Sequence, residues 1–414
     1  MLMIVQCIVF VVLGFYVLYL LCVGQGFYVV FDPDVYESMY RGLIVNGSFM
    51  SDADFYAYVG WRYICGDDPL KLMCWHPPLS AYLIGLSILI FRNQNVMSLI
   101  MGFSTLILMF LVSKRILKGF FGILPVYILC LDRMFLSFSS ISMLDIYAVF
   151  FTVLSVFLYL KALERYRFIP IFMVFLGLAL SSKWITGFLI PSLIAHLVLI
   201  RRWRFLKYSL MCLPLTIIVY VSVWLPAFLH GHTFQDLFQA HIRGITGQLW
   251  RRYPQVTGII GKAPFWILLN LLTGISGPGT RQTILISTSG ELLEIEPVEY
   301  GLHMISYYNP LTWPLTFSSS ILALYYSRRE GMTGILPPLW FFSFILATSF
   351  MGSVFEWYLL PILPAGYLSL AYTMEKIYRD TVRKWIAKTL ITIYLILVAI
   401  WLLLINIPSF IKIG

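Results

Sequence analysis

Apolar runs near 20 residues long recur along almost the whole chain, separated by short polar stretches. The pattern predicts membrane spans at roughly 2–23, 96–113, 119–131, 142–160, 168–182, 186–200, 207–228, 310–326, 333–350, 355–374 and 386–407, about eleven in all. A run of that length crosses ~30 Å of hydrocarbon as a helix. It must be helical, because lipid offers no partner for backbone N–H and C=O groups. The alternating segments of about ten residues that mark a membrane β-barrel do not occur in the sequence. One run, Ser80 to Phe91, is too short to span comfortably and reads as an interfacial or re-entrant helix. The fold class expected is an all-α integral membrane bundle, a single polytopic domain over residues 1–414. The first span lacks a charged leader and a small-residue cleavage site, so it reads as a retained anchor.

Charge between the spans sets the topology. Short loops carry Lys114/Arg115/Lys118, Lys161/Arg165/Arg167, Arg201/Arg202/Arg204/Lys207, Arg328/Arg329 and Lys376/Arg379/Arg383/Lys384/Lys388. These clusters hold more than half of the 29 Lys and Arg, so the positive-inside rule places them and the N-terminus in the cytoplasm. Two long loops are left on the external side, at 24–95, with interfacial helices, and at 230–309. In the second, Phe234, Leu237, Phe238, His241, Ile242 and Ile245 follow helical spacing and predict an amphipathic helix on the membrane. Gly274 to Glu299 reads as an exposed loop.

Composition agrees. Hydrophobic residues make up 60% and charged residues 12%, against roughly 25% charged in a soluble domain. A net charge of +10 would suit nucleic acid, but its confinement to inter-span clusters points to the bilayer, and there is no basic stretch with interleaved aromatics. Cys65 and Cys74 share the first external loop; a disulfide and a free pair both remain open, and their spacing matches no metal site.

Ionisable residues near membrane depth are functional candidates, because burying them there is costly. The topology gathers them at the external face. Asp32 and Asp34, in Phe31-Asp-Pro-Asp, suit a general base or a metal ligand, or a solvated turn. His76, Pro77 and Pro78 lead into the short apolar helix, and His76 can meet a phosphate at headgroup level or mark the interface. Asp145 stands at a span's start, where the helix dipole alone would account for it. Lys183-Trp184 ends the next span; a snorkelling Lys is ordinary, but positive-inside bias disfavours one here. His303, Tyr307 and Asn309 precede one further helix start, and Tyr358 another.

These motifs, in this order, resemble the protein O-mannosyltransferases and their relatives in the GT-C class of glycosyltransferases, in a short prokaryotic form. The matching pieces are Phe31-Asp-Pro-Asp, His76-Pro-Pro-Leu79, Met143-Leu-Asp145, Leu178-Ala-Leu-Ser-Ser-Lys-Trp184, Tyr307-Tyr-Asn-Pro-Leu-Thr-Trp-Pro314 and Tyr358-Leu-Leu-Pro-Ile-Leu-Pro364. The resemblance implies a GT-C bundle that moves mannose from a polyprenyl (dolichyl) phosphate donor to Ser or Thr hydroxyls of proteins, with inversion. It implies Asp32 as the acceptor-activating carboxylate, Asp145 as its support, and His76, Lys183 and Arg243 as ligands of the donor phosphate. Pro77, Pro78, Trp184, His303, Tyr307, Asn309 and Tyr358 would line the site. The family's adjacent Asp-Glu is here Asp32-Pro33-Asp34, so either acid can hold the role. An arginine common five residues before the Leu-Asp aspartate is replaced by Ser140, with Arg133 further upstream. A metal held by Asp32, Asp34 and Asp145 is chemically possible but not required. The partners implied are the lipid donor, an acceptor protein and the bilayer, with no nucleic acid. Another lipid-linked sugar or a lipid acceptor is the second reading; a transporter, which would show matching halves and midplane polar groups, is a weaker third.

Overall fold

The computed structural model describes residues 29–46, 50–250, 263–276, 279–281, 284–286, 292–294, 298–300, 302–330, 334–348, 351 and 355–411. The predicted span at 2–23 lies outside them. The stretch after it folds into four helices: α1 (Pro33–Asn46), α2 (Asp52–Ile64), α3 (Pro69–Leu72) and α4 (Leu79–Phe91). Local capping places three of them. The Asp34 amide donates to Asp32 Oδ1 at 3.0 Å where α1 begins. Ser51 Oγ accepts the Asp54 amide at the head of α2, and Asp68 accepts the Leu70 amide at the head of α3. Helices α2 and α4 touch backbone to backbone at Gly60 and Gly85: a Cβ on Gly60 would stand 2.6 Å from the Ala81 carbonyl oxygen. Only glycine permits that approach.

The chain then enters the apolar bundle. Helices α5 (Val96–Ile116) and α8 (Leu144–Glu164), with the Lys384–Trp401 part of α19 (Lys384–Ile411), are long and apolar enough to cross a membrane. Two predicted spans are broken. The 119–131 run becomes a 3₁₀ turn and α6 (Leu124–Cys130), then bends by 66° into α7 (Arg133–Ser139). Asp132 sits at the break and caps α7 through the Phe135 amide at 2.9 Å. The 207–228 run becomes α11 (Trp203–Met211), α12 (Leu213–Ser222), at 41° to it, and α13 (Leu225–Leu229). Pro214 and Pro226 stand in the first turns of α12 and α13, where a missing N–H is tolerated but the preceding helix cannot continue. Counting each bent pair as one span gives up to five by length and composition among the described residues. Shorter apolar helices complete the bundle: α9 (Ile169–Ser182), α10 (Leu189–Leu199) after a 3₁₀ turn from Trp184, and α17 (Leu336–Thr348). Helices α16 (Trp313–Glu330) and α18 (Leu363–Asp380) pack beside them.

The helix ends segregate into two faces. On one, basic clusters meet acidic partners: Arg115 pairs with Glu164 at 3.2 Å, and the Glu375 carboxylate takes the Lys118 amide at 3.0 Å and the Arg379 guanidinium. On the other, the long connections meet each other, and we call this the loop face. His230 Nε2 bonds the Gly66 carbonyl at 2.7 Å and His232 Nε2 reaches Asp68 at 2.6 Å, stapling the second connection to the first. That connection continues as α14 (Phe234–Trp250) and α15 (Ala263–Thr273). The stretch read as a plain exposed loop instead forms a narrow antiparallel ribbon. Ile275–Ser276 pairs with His303–Met304, Gly279–Arg281 with Val298–Tyr300, and Ile284–Ile286 with Leu292–Glu294. The apolar residues at Ile284–Ile286 and Leu292–Leu293 supply the strand preference that Gly and Ser around them conceal.

Candidate functional site

The most deeply buried ion pair among the described residues lies on the loop face. Lys183 Nζ lies 2.7 Å from Asp145 Oδ1, with side chains 5% and 1% exposed. Asp145 comes from the first turn of α8, where the helix dipole favours a carboxylate. Lys183 comes from the break between α9 and the 3₁₀ turn that follows, in extended backbone. The Tyr358 ring covers the ammonium, 5.6 Å from its centroid. Asp145 Oδ2 is buried with no partner among the described residues. A carboxylate so placed accepts one more proton donor, and none of the described residues supplies it.

Three links draw the other candidates around this pair. Ser80 Oγ, on the first turn of α4, donates to the Ser182 carbonyl next to Lys183 at 3.0 Å. This sets the buried Pro77-Pro78 turn, and His76 before it, against the Lys183 break. Ser142 Oγ donates to the Ala53 carbonyl at 2.8 Å, joining the Asp145 segment to the start of α2. From α2, the Tyr56 ring meets His76 edge-on at 6.2 Å, and Phe55 stacks on Trp75. The third link reaches α1. The Tyr36 phenol takes a 2.7 Å bond from Gln94, and burial followed by the charge of Asp54 pushes it up to about 12. Tyr36 lies one turn beyond Asp32, so Asp32 and Asp34 stand at the exposed end of this chain of contacts.

Arg243 is exposed on α14 and lies near the same turn: burial pushes the Cys74 thiol up, and the Arg243 charge opposes the shift. Cys65 and Cys74 are both free thiols. Trp184 turns away from the ion pair and packs on α14, where a Cβ at Gly244 would fall inside its ring. Its Nε1 donates to Tyr220 at 3.0 Å; Tyr220 bonds His241 Nε2 at 2.5 Å; His241 Nδ1 donates to the Leu237 carbonyl at 2.7 Å. A carbonyl only accepts, so Nδ1 carries the proton and Nε2 takes the Tyr220 hydroxyl. Burial lowers the His241 pKa, in keeping with that neutral tautomer.

The remaining candidates stand further out. Asn309 is buried and closes the turn that precedes α16, its Oδ1 accepting the Leu311 amide at 3.0 Å. Tyr307 packs edge-on against Phe138 of α7. His303 contributes its backbone to the ribbon; its side chain lies outside the described residues. Among the described residues no three His, Cys, Asp or Glu side chains gather closely enough to hold a metal.

Sequence reasoning missed two acids. Asp132 is fully buried and accepts from Trp313 Nε1 at 2.8 Å and Tyr367 at 2.6 Å, tying α7, α16 and α18 together. An ionisable residue at the end of an apolar run was signal enough. Asp54, beside Tyr36, had no such signal, because it follows Ser51 as an ordinary cap.

Residues 75–227 match the family described as dolichyl-phosphate-mannose-protein mannosyltransferase. That segment carries His76, Asp145 and Lys183 and bears out the resemblance read from the motifs. In fold the chain is similar to ArnT from Cupriavidus metallidurans bound to undecaprenyl phosphate, with a TM-score of 0.55 at 13% identity, over 87% of this chain and 62% of that one. It is also similar to the apo oligosaccharyltransferase of Archaeoglobus fulgidus, with a TM-score of 0.50 at 12% identity, over 92% and 55%. The chain therefore has the predominantly helical GT-C fold and spans less than two thirds of either neighbour's length. No curated protein matches it in sequence.

Proposed function

We propose that this chain of GT-C fold is a glycosyltransferase that moves mannose from a polyprenyl (dolichyl) phosphate to Ser or Thr hydroxyls of proteins, with inversion at the sugar. The observation that carries this reading is the buried Asp145–Lys183 pair, with its unpartnered carboxylate oxygen, inside the segment that matches the mannosyltransferase family. The neighbour bound to undecaprenyl phosphate shares the fold and supports a lipid-linked donor.

The chemistry follows from the groups at the site. The acceptor hydroxyl attacks the anomeric carbon while the bond from that carbon to the phosphate oxygen breaks. Asp32, or Asp34, takes the hydroxyl proton as the new bond forms. The departing polyprenyl phosphate gains negative charge, which Lys183 and Arg243 neutralise, with His76 donating a hydrogen bond. A phosphate is already a good leaving group, so no strong acid and no metal is required. Asp145 orients Lys183 and offers Oδ2 to the incoming sugar. The basic face is cytoplasmic by the positive-inside rule, which puts the reaction on the opposite side of the membrane.

The test is transfer of labelled mannose from polyprenyl phosphate mannose to a Ser/Thr-rich peptide, with wild type beside Asp32→Asn and Asp34→Asn. Label in the peptide with wild type and loss of it with Asp32→Asn is the result expected. Loss only with Asp34→Asn moves the base by two residues. Label entering lipid alone would replace the protein acceptor by a lipid one, part of the second reading that the departures at Asp32-Pro33-Asp34 and Ser140 keep open.

A further inference from the structure

The three side chains proposed above to meet the donor phosphate come from separate elements: His76 from the turn before α4, Lys183 from the break after α9, and Arg243 from α14. Helix α14 touches the segments that carry the other two. Leu237, Ala240, His241 and Gly244 form one stripe of it at helical spacing and face the bundle. Gly244 packs under the Trp184 ring, next to Lys183, where a larger residue does not fit. Arg243, on the flank of that stripe, is exposed and lies near enough to Cys74 for its charge to act on that thiol. Cys74 precedes His76 by two residues.

The head of α14 is fastened by two histidines. His232 Nε2 lies 2.6 Å from Asp68 Oδ2, and His230 Nε2 lies 2.7 Å from the Gly66 carbonyl oxygen. A carboxylate and a carbonyl only accept, so each Nε2 carries the proton. The two bonds differ in weight. Asp68 is 6% and His232 25% exposed, so a bond to a charged group is shielded from water there. His230 is exposed and meets a neutral acceptor. Asp68 Oδ1 also takes the Leu70 amide at 3.0 Å and caps α3. Thr233 and Asp236 cap α14 reciprocally, at 2.8 and 3.2 Å, directly after His232. One bond thus joins the heads of two helices. From α3 the chain runs on to His76, and α14 carries Arg243 roughly 16 Å further along at the helical rise.

We propose that His232 and Asp68 are positioning residues for the donor phosphate, holding Arg243 at a fixed spacing from His76, a proposal that rests on the lipid-donor reading above. Helix α14 is pinned at two points, by Asp68 at its head and by Trp184 at Gly244, and Arg243 lies between them. Two pins block both sliding and pivoting of the helix. Without the clasp the contact at Gly244 remains, and α14 pivots about the Trp184 ring. A long exposed side chain such as Arg243 is then re-ordered at each binding event, at a cost in conformational entropy. Lys183 is spared, because Asp145 and Tyr358 hold it from other elements. The clasp therefore acts on recognition of the phosphate and leaves the hold on the lipid's hydrocarbon unchanged. Lys71, 3.9 Å from Asp68 Oδ2 and 77% exposed, competes only weakly for the carboxylate.

The experiment compares equilibrium binding of geranylgeranyl monophosphate and of geranylgeraniol to the purified full chain in detergent. The two share a hydrocarbon and differ only at the phosphate, so their affinity ratio reports the phosphate site. Wild type should favour the phosphate. His232→Ala should lower that ratio about tenfold and leave the affinity for the alcohol unchanged. His232→Gln, whose amide N–H stands in for Nε2–H, should restore most of the ratio. Arg243→Ala should lower it by a similar factor, and His232→Ala added to Arg243→Ala should lower it no further, because the clasp works through Arg243. Asp68→Asn keeps the cap of α3 and carries the same comparison if His232→Ala does not fold. Equal losses for the phosphate and the alcohol would reduce the clasp to a staple of the fold and overturn the proposal, with the donor reading left standing. Losses that multiply in the double variant would also overturn it, by separating the clasp from Arg243. Equal affinity of wild type for the phosphate and the alcohol would overturn the donor reading and the clasp with it.

Discussion

Replacing Lys183 by Met removes the ammonium but keeps the length and apolar body of the side chain. The Asp145 carboxylate, 1% exposed, is then buried without a counter-charge. At 2.7 Å and an effective dielectric constant near 20, the two charges attract by about 6 kcal/mol. Desolvation of both offsets most of that in the intact pair. Removing one partner leaves the other's desolvation uncompensated, which costs about 3–5 kcal/mol. Asp145→Asn should cost a similar amount, because it strands the ammonium beneath Tyr358. The double variant should cost less than the sum of the two single ones, by a coupling of about 2–3 kcal/mol, at the upper end of what contacting residues show. The assay is equilibrium unfolding of the purified chain by SDS titration, followed by tryptophan fluorescence, for the four members of the cycle. Single variants within about 1 kcal/mol of wild type and additive effects in the double variant, as for exposed pairs, would refute the argument that the pair is a desolvated contact. The site built around it would fall with that result.

The other expectations concern the scaffold and the His241 relay. Gly60→Ala puts a methyl group 2.6 Å from the Ala81 carbonyl oxygen and 2.8 Å from the Gly85 nitrogen; both are backbone atoms, so α2 and α4 must part, at about 1–3 kcal/mol. Gly187→Ala meets only a Leu180 methyl at 3.4 Å and serves as the tolerant comparison; equal thermal stability of the two variants would contradict the close approach. Burial lowers the His241 pKa in the folded chain. Its contribution to stability is therefore fully present above the ordinary histidine value near 6.5 and declines as pH falls through the lower folded value. His241→Asn should flatten that acid limb in a pH series of unfolding midpoints; an unchanged limb would assign the acid sensitivity to other groups.

Hydrophobic run length and the placement of Lys and Arg determined, from sequence by themselves, that this chain is a helical membrane bundle with its ionisable candidates at one face. Both signals are local: a 20-residue apolar run has one low-energy state in lipid, and a basic cluster has one favoured side. The family motifs were legible for a related reason, since His76-Pro-Pro, Leu-Asp145 and Lys183-Trp184 each mark a helix start or end. Tertiary structure alone decided the rest. Pairing Asp145 with Lys183 is a contact between side chains 38 residues apart, which no periodicity encodes. The 207–228 run read as one span, and only the packed bundle shows that α11 and α12 meet there at 41°. Asp132 drew no reading from the sequence, and its role appears only where Trp313 and Tyr367 close over it from helices remote in sequence. Lys183-Trp184 offered both an ordinary interface reading and a phosphate-binding one for the lysine. The extended backbone at Lys183 sends that side chain to Asp145 and leaves Trp184 to pack on α14 and bond Tyr220, because side-chain direction depends on dihedral angles that only the assembled fold selects.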